Sequence, residues 1–185
     1  MVKKVCIFGS YKDLSKKEKE EIVRLGKLLA QQGAIVISGG FGGTMEDVSR
    51  GAKLAGGKTI GVTWYKWEKP IYNKANAFID EEIVADSLFE RIDIMIKKAD
   101  AFIVLPGGTG TLLELSAVLE HLNKGLLDPK PIIMLGNFWK PALTCLKKEP
   151  VLSEKTRNKR KVSYCNELVT FVKNIDECID KLRLI

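Results

Sequence analysis

AFIVLPGGTGTLLEL, residues 101–115, joins an apolar run, a glycine-rich turn and an apolar segment broken by one acid, Glu114. The run AFIVLP is apolar without alternation. That pattern suits a strand covered on both faces, as in a parallel sheet. Gly107, Gly108 and Gly110 punctuate it, and TLLELSAVLEHLNKG (111–125) follows with helical periodicity. One strand, one glycine turn and one helix therefore form a unit, and the rest of the chain repeats it.

KVCIFG (4–9), AIVIS (34–38), TIGVTW (59–64), PIIMLG (131–136) and ELVTFV (167–172) read as further strands, and AFIDEEIVA (77–85) holds a short one. Between them, helices are predicted from Lys16 to Gln32, with Ile22, Leu25, Leu28 and Leu29 at helical spacing, and over 44–55 and 87–99. Two more follow over 138–148 and 175–185. Residues 65–76 lack a period and read as a loop. Strands alternating with helices predict an α/β fold with a doubly wound parallel sheet, Rossmann-like, in a single domain spanning 1–185.

Composition narrows the function. No stretch approaches the roughly 18 apolar residues of a membrane span. MVKKVCIFGS (1–10) reads as a first strand, not a signal peptide. The four cysteines (Cys6, Cys145, Cys165, Cys178) form no CxxC pair, so free thiols and a cytoplasmic setting are expected. His121 is the only histidine, which argues against a His-based triad or a multi-histidine metal site; no metal is expected. The net charge of +7 suits anionic ligands. Much of it lies in 147–161, read as a solvated loop; single-stranded nucleic acid is the third-ranked partner there, because the segment lacks interleaved aromatics before Tyr164.

Three predicted strands end in glycine: at Gly9-Ser10, at Gly39-Gly40 and at Gly107-Gly108. Ligands of such sheets bind at the carboxyl ends of the strands. SGGFGGTMED (38–47) and PGGTGTLLE (106–114) share one layout of strand, glycines, threonine and helix. Glycine lets the backbone approach a ligand, and the following helix presents N–H groups and the positive end of its dipole, which suits a phosphate. Thr44, Thr109 and Thr111 carry hydroxyls beside these turns. Neither loop is a GxGxxG fingerprint, since Met45 and Leu113 stand at the third glycine position. AKLAGGKT (52–59) mimics a phosphate-binding P-loop, but a helix precedes it and a strand follows, the reverse of the required order.

Glu114 sits among Leu112, Leu113 and Leu115, and an acid next to a phosphate cradle is a candidate functional group. A carboxylate can stabilise the cation that develops on ribose as an N-glycosidic bond breaks. Arg91, which interrupts an apolar-rich helix, is the candidate to anchor substrate or acid.

PGGTGTLLE resembles the PGGxGTxxE signature of the LOG ("Lonely Guy") family, long mislabelled as possible lysine decarboxylases, a label without chemistry behind it here, since nothing marks a Schiff-base lysine with its partners. VCIFGS, SGGFGGTM and ADSLFERIDIMIKKADAFIVLPGGTGTLLEL extend the likeness over nearly the whole chain. The wider superfamily includes DprA-related and molybdenum-cofactor carrier proteins, and the chain resembles a divergent branch. The resemblance implies a nucleoside 5′-monophosphate phosphoribohydrolase that yields free base and ribose 5-phosphate without a cofactor, acting as a homodimer. Its catalytic pair falls on Arg91 and Glu114, and its phosphate loop on Gly107, Gly108, Thr109, Gly110 and Thr111. Gly9, Ser10, Gly39 and Gly40 are expected to line the sugar and base side. Where the family has Met-His before x-Arg-Lys, this chain has Leu88, Phe89, Glu90, Arg91 and Ile92. The alternative is a non-catalytic binding protein for a phosphate-bearing ligand, such as a molybdopterin or a signalling nucleotide.

Overall fold

The computed structural model describes residues 3–12, 14–64 and 74–183. Among them seven strands form one sheet: β1 (Lys4–Phe8), β2 (Ile35–Ser38), β3 (Thr59–Thr63), β4 (Glu81–Val84), β5 (Ala101–Val104), β6 (Ile132–Leu135) and β7 (Val169–Val172). Their order is β4-β3-β2-β1-β5-β6-β7, and every pairing is parallel. The chain winds outward from β1 to β4, then returns to lay β5 on the other side of β1. The order therefore reverses between β1 and β5, and the crevice at their carboxyl ends is the topological switch point.

The helices are α1 (Lys16–Gln31), α2 (Thr44–Leu54), α3 (Leu88–Lys98), α4 (Thr109–Lys124), α5 (Lys140–Leu143), α6 (Glu154–Arg160) and α7 (Ile175–Arg183). Strand side chains alternate between two cores. Val5, Ile7 and Ile103 pack with α1, α2 and α7 through Leu25, Leu29, Val48 and Ile179. Cys6, Phe8, Phe102 and Val104 pack with α3 and α4 through Met95, Ile96, Leu115 and Val118. Both faces of the central strands are buried, which is why they read as unbroken apolar runs. Ser15 opens α1 with a capping box: its hydroxyl accepts from the Glu18 N–H and the Glu18 carboxylate accepts from the Ser15 N–H.

Three expectations need correction. The segment 147–161 is not simply a solvated loop: it ends a 3-10 turn (Thr144–Lys148) and contains α6. Most of its charges face water, but half-buried Arg157 and Arg160 donate to the Val151 and Leu168 carbonyls, and Thr156 is fully buried with its hydroxyl donating to the Leu122 carbonyl at 2.8 Å, docking α6 on the end of α4. The helix expected over 138–148 is only one α-helical turn, α5, running into that 3-10 turn. Helix α4 starts two residues early, at Thr109, inside the glycine motif. Of the loop expected over 65–76, residues 65–73 lie outside the described residues, as do the last two of 175–185.

Candidate functional site

The glycine motif is held from three sides. Past β5, the Leu105 N–H donates to the Phe8 carbonyl at 2.9 Å, and the Leu105 carbonyl accepts the indole N–H of buried Trp139 at 2.9 Å. Pro106 and Gly107 turn the chain, and Gly108 is the N-cap of α4 without any side-chain cap. Gly108, Thr109 and Gly110 are exposed. An uncapped, exposed helix start over a switch point is a ready anion site. A Cβ on Gly107 would overlap the Thr111 hydroxyl. That hydroxyl donates to the Gly9 carbonyl at 2.9 Å, so it ties α4 to the end of β1.

The second glycine loop is tied to the same place. Both the Thr44 N–H and the Thr44 hydroxyl donate to the Ser10 carbonyl, each at 2.9 Å. The hydroxyl hydrogens of Thr44 and Thr111, expected as ligand donors, are thus engaged by the backbone. The Asn76 amide donates to the Gly40 carbonyl at 3.0 Å and to the Phe41 carbonyl at 2.9 Å, bracing the loop from the segment ahead of β4.

Arg91 and Glu114 meet beneath these loops. Each is only 7% exposed. Arg91 Nε donates to the Val62 carbonyl at 2.6 Å and Nη2 to the Gly39 carbonyl at 3.0 Å. Its Nη1 lies 3.5 Å from Glu114 Oε1, within ion-pair range but longer than a good charge-assisted hydrogen bond. The Met45 sulfur is 3.9 Å from Nη2, and the Phe41 ring centre 5.4 Å from the guanidinium carbon. Gly39 is required: a Cβ there would overlap the guanidinium. Burial pushes the Glu114 carboxyl up from its ordinary 4.5 to about 7, against the pull of the Arg91 charge. Burial lowers the Arg91 pKa, while Glu114 holds it up. The result is an acid able to gain or lose a proton near neutrality.

The nine expected loop residues and the Arg91–Glu114 pair therefore converge on one end of the sheet. Phe41, Met45, Asn76 and Trp139 belong to the site's support; Phe41 and Met45 lie inside the second glycine motif without being singled out by it, and Asn76 and Trp139 lie in no motif. Phe41 alone leaves a trace in the sequence, as an aromatic inside a glycine run. No cluster of His, Cys, Asp or Glu among the described residues is arranged to hold a metal ion. No helix of the described residues is long and apolar enough to cross a membrane.

Fold and site define a Rossmann-like α/β protein with an uncapped helix start and a buried Arg–Glu pair at the switch point. The profile of the SLOG cluster4 family matches residues 2–172, and the chain belongs to that family. It is 39% identical over 124 residues to the cytokinin riboside 5′-monophosphate phosphoribohydrolase of Mycobacterium tuberculosis, covering 64% of each chain. It is 32% identical over 148 residues to the cytokinin riboside 5′-monophosphate phosphoribohydrolase LOG of Oryza sativa subsp. japonica, covering 77% of this chain and 59% of the rice protein. The chain thus spans less than two thirds of either relative. In fold it matches the molybdenum cofactor binding protein of Rippkaea orientalis, with a TM-score of 0.73, 24% identity and coverage of 100% of this chain and 97% of that one.

Proposed function

We propose that the protein is a nucleoside 5′-monophosphate phosphoribohydrolase. The observation that carries this is the buried Arg91–Glu114 contact, whose acid stands in the second turn of the helix that begins exposed and uncapped at the switch point. In this reading the backbone N–H groups around Gly108–Thr111 hold the 5′-phosphate, with Gly9, Ser10, Gly39 and Gly40 beside the ribose and base. The C1′–N bond breaks, its electron pair leaves with the base, and water adds its oxygen to C1′; the base takes up a proton and ribose 5-phosphate remains. Ionised Glu114 stabilises the positive charge that grows on the ribose or orients the water. Three N–H groups of Arg91 are directed at two carbonyls and Glu114, and the Met45 sulfur lies against Nη2, so its part is to position the acid. The curated relatives named for this activity support the assignment. A homodimer belongs to the same reading: Phe89, at 72% exposure beside Arg91, is an apolar side chain open to a second copy.

The test is incubation of pure protein with AMP, CMP, GMP and UMP, assaying free base. Release from at least one, lost in Glu114→Gln, supports the proposal. Release from none, or release unchanged in Glu114→Gln, overturns it. Thermal stabilisation by a nucleotide that is never cleaved would instead favour a carrier or sensor built on the same crevice.

A further inference from the structure

A cleft of about 500 Å³ lies against β7, the outermost strand on the β5 side of the sheet. One wall is Lys140, Pro141 and Leu143 of α5, continued by Thr144 and Lys147 of the 3-10 turn. The other is Asn166, in the 3-10 turn Cys165–Leu168 ahead of β7, and Phe171 within the strand. Strand β6 stands between β7 and β5, and no lining residue belongs to the Arg91–Glu114 site. The volume is in the range of small-molecule sites, roughly 300–1,000 Å³.

The floor is apolar and fixed. Leu143 is buried, and half-buried Phe171 packs against the core that holds α3 and α4. The Thr144 hydroxyl donates to the Lys140 carbonyl at 3.0 Å, so it serves as wall and not as a donor to a ligand.

The polar lining has one sign. Lys140 Nζ stands 5.7 Å from the centre of the Phe171 ring, which keeps its ammonium over the floor. Lys147 is exposed on the same wall. Among the described residues neither ammonium pairs with a carboxylate, and no Asp or Glu lines the cleft. The half-buried side-chain amide of Asn166 likewise has no hydrogen-bond partner among them. Two unpaired cations and a spare amide above an apolar floor are complementary to an apolar body that carries two negative charges.

We propose that this cleft binds a small organic dianion, with either two carboxylates or one phosphate on an apolar body. Its charges face Lys140 and Lys147, its body rests on Leu143 and Phe171, and the Asn166 amide donates to one of its oxygens. The site is separate from the phosphate loop and stands whether or not the protein cleaves nucleotides.

Isophthalate and phenyl phosphate test the two head groups, with uncharged isophthalamide as the control. Calorimetry reads affinity, and the side-chain amide resonance of Asn166 in isotope-labelled protein reads the place. At least one dianion is expected to move that resonance and to bind about tenfold more tightly than isophthalamide, from two partly screened charge contacts. The double variant Lys140→Glu, Lys147→Glu removes that advantage. It shifts the melting temperature by less than about 4 °C, because both side chains are exposed and only the Phe171 contact is lost. A response to isophthalate alone assigns a dicarboxylate, and a response to phenyl phosphate alone assigns a phosphate ester. An Asn166 resonance moved by neither dianion overturns the inference, even if phenyl phosphate binds at the Gly107–Thr111 loop. Isophthalamide binding as tightly as the dianions, or undiminished dianion binding in the double variant, overturns it as well.

Discussion

Replacing Glu114 by glutamine is expected to erase a defined pH dependence of stability. In the folded protein the carboxyl titrates at about 7, against an ordinary value of 4.5. Between those values the folded state holds a proton that the unfolded state has lost. The stabilisation is therefore complete below about pH 4.5, falls as pH rises, and is gone above about pH 7. A tenfold difference in proton affinity between the two states corresponds to roughly 1.4 kcal/mol, so between pH 5 and pH 8 the group withdraws about 2–3 kcal/mol. In a domain of this size that is roughly 5–10 °C in melting temperature. Glutamine has no such titration and keeps an oxygen facing Arg91. Urea unfolding of wild type and Glu114→Gln at pH 5 and pH 8 gives four free energies. The difference of differences cancels every other titrating group that the substitution leaves undisturbed. A change of about 2–3 kcal/mol in the variant's favour at pH 8 is expected. A constant gap between the proteins, or a change of the opposite sign, would refute the claim that Glu114 is buried at a cost in its charged form.

Four further outcomes follow from the same geometry. If ionised Glu114 supports the reaction, kcat/KM rises with pH and levels off above about 7; a profile falling through that range would assign Glu114 as the proton donor instead. Arg91→Met leaves the Val62 and Gly39 carbonyls and Glu114 without their partner and lowers unfolding free energy by about 3–5 kcal/mol in urea titration; a loss under about 1 would show that the pair is not a structural brace. Gly107→Ala, which drives a methyl into the Thr111 hydroxyl, weakens inorganic phosphate binding about tenfold and destabilises the fold, whereas Gly110→Ala, in open space within α4, raises stability by up to about 1 kcal/mol. Trp139→Phe strands the buried Leu105 carbonyl and costs about 1–3 kcal/mol by denaturation; an unchanged midpoint would refute that anchor.

The central strands are legible because burial on both faces leaves unbroken apolar runs, and the glycine turns are legible because their backbone must come close to other groups. The convergence of the three turns follows from the carboxyl-end rule, and the β1–β5 reversal supplies it. The 147–161 segment reads as a loop for a physical reason. Helix α6 is seven residues long and mostly charged; Thr156 on Leu122, Arg157 on the Val151 and Leu152 carbonyls and Arg160 on the Leu168 carbonyl set its place, and such polar contacts leave no apolar periodicity to read. Trp139 and Asn76 are invisible for a different reason. Each acts on a backbone carbonyl distant in sequence, and no local pattern announces such a bond.

The place of Arg91, among neighbours that depart from the motif it resembles, has a structural account. Phe89 and Glu90 are exposed, and Leu88 is half-buried. The Glu90 carboxylate accepts the Asp86 N–H at 2.6 Å, and its own N–H donates to the Ser87 hydroxyl at 3.1 Å. These positions serve the cap of α3 and the surface, where side chains are exchanged at small cost. Arg91 faces the other way, onto the carbonyls that end β2 and β3. A carbonyl belongs to the fold and not to any one side chain, so those two bonds persist for as long as the sheet keeps its register. They fix the guanidinium where its third contact must fall on Glu114. The arginine therefore holds its place beside the acid without help from residues 88–90, joining two strand ends and one carboxylate in a single frame. In the proposed reading, contact with a ligand then falls to the exposed Gly108–Gly110 turn.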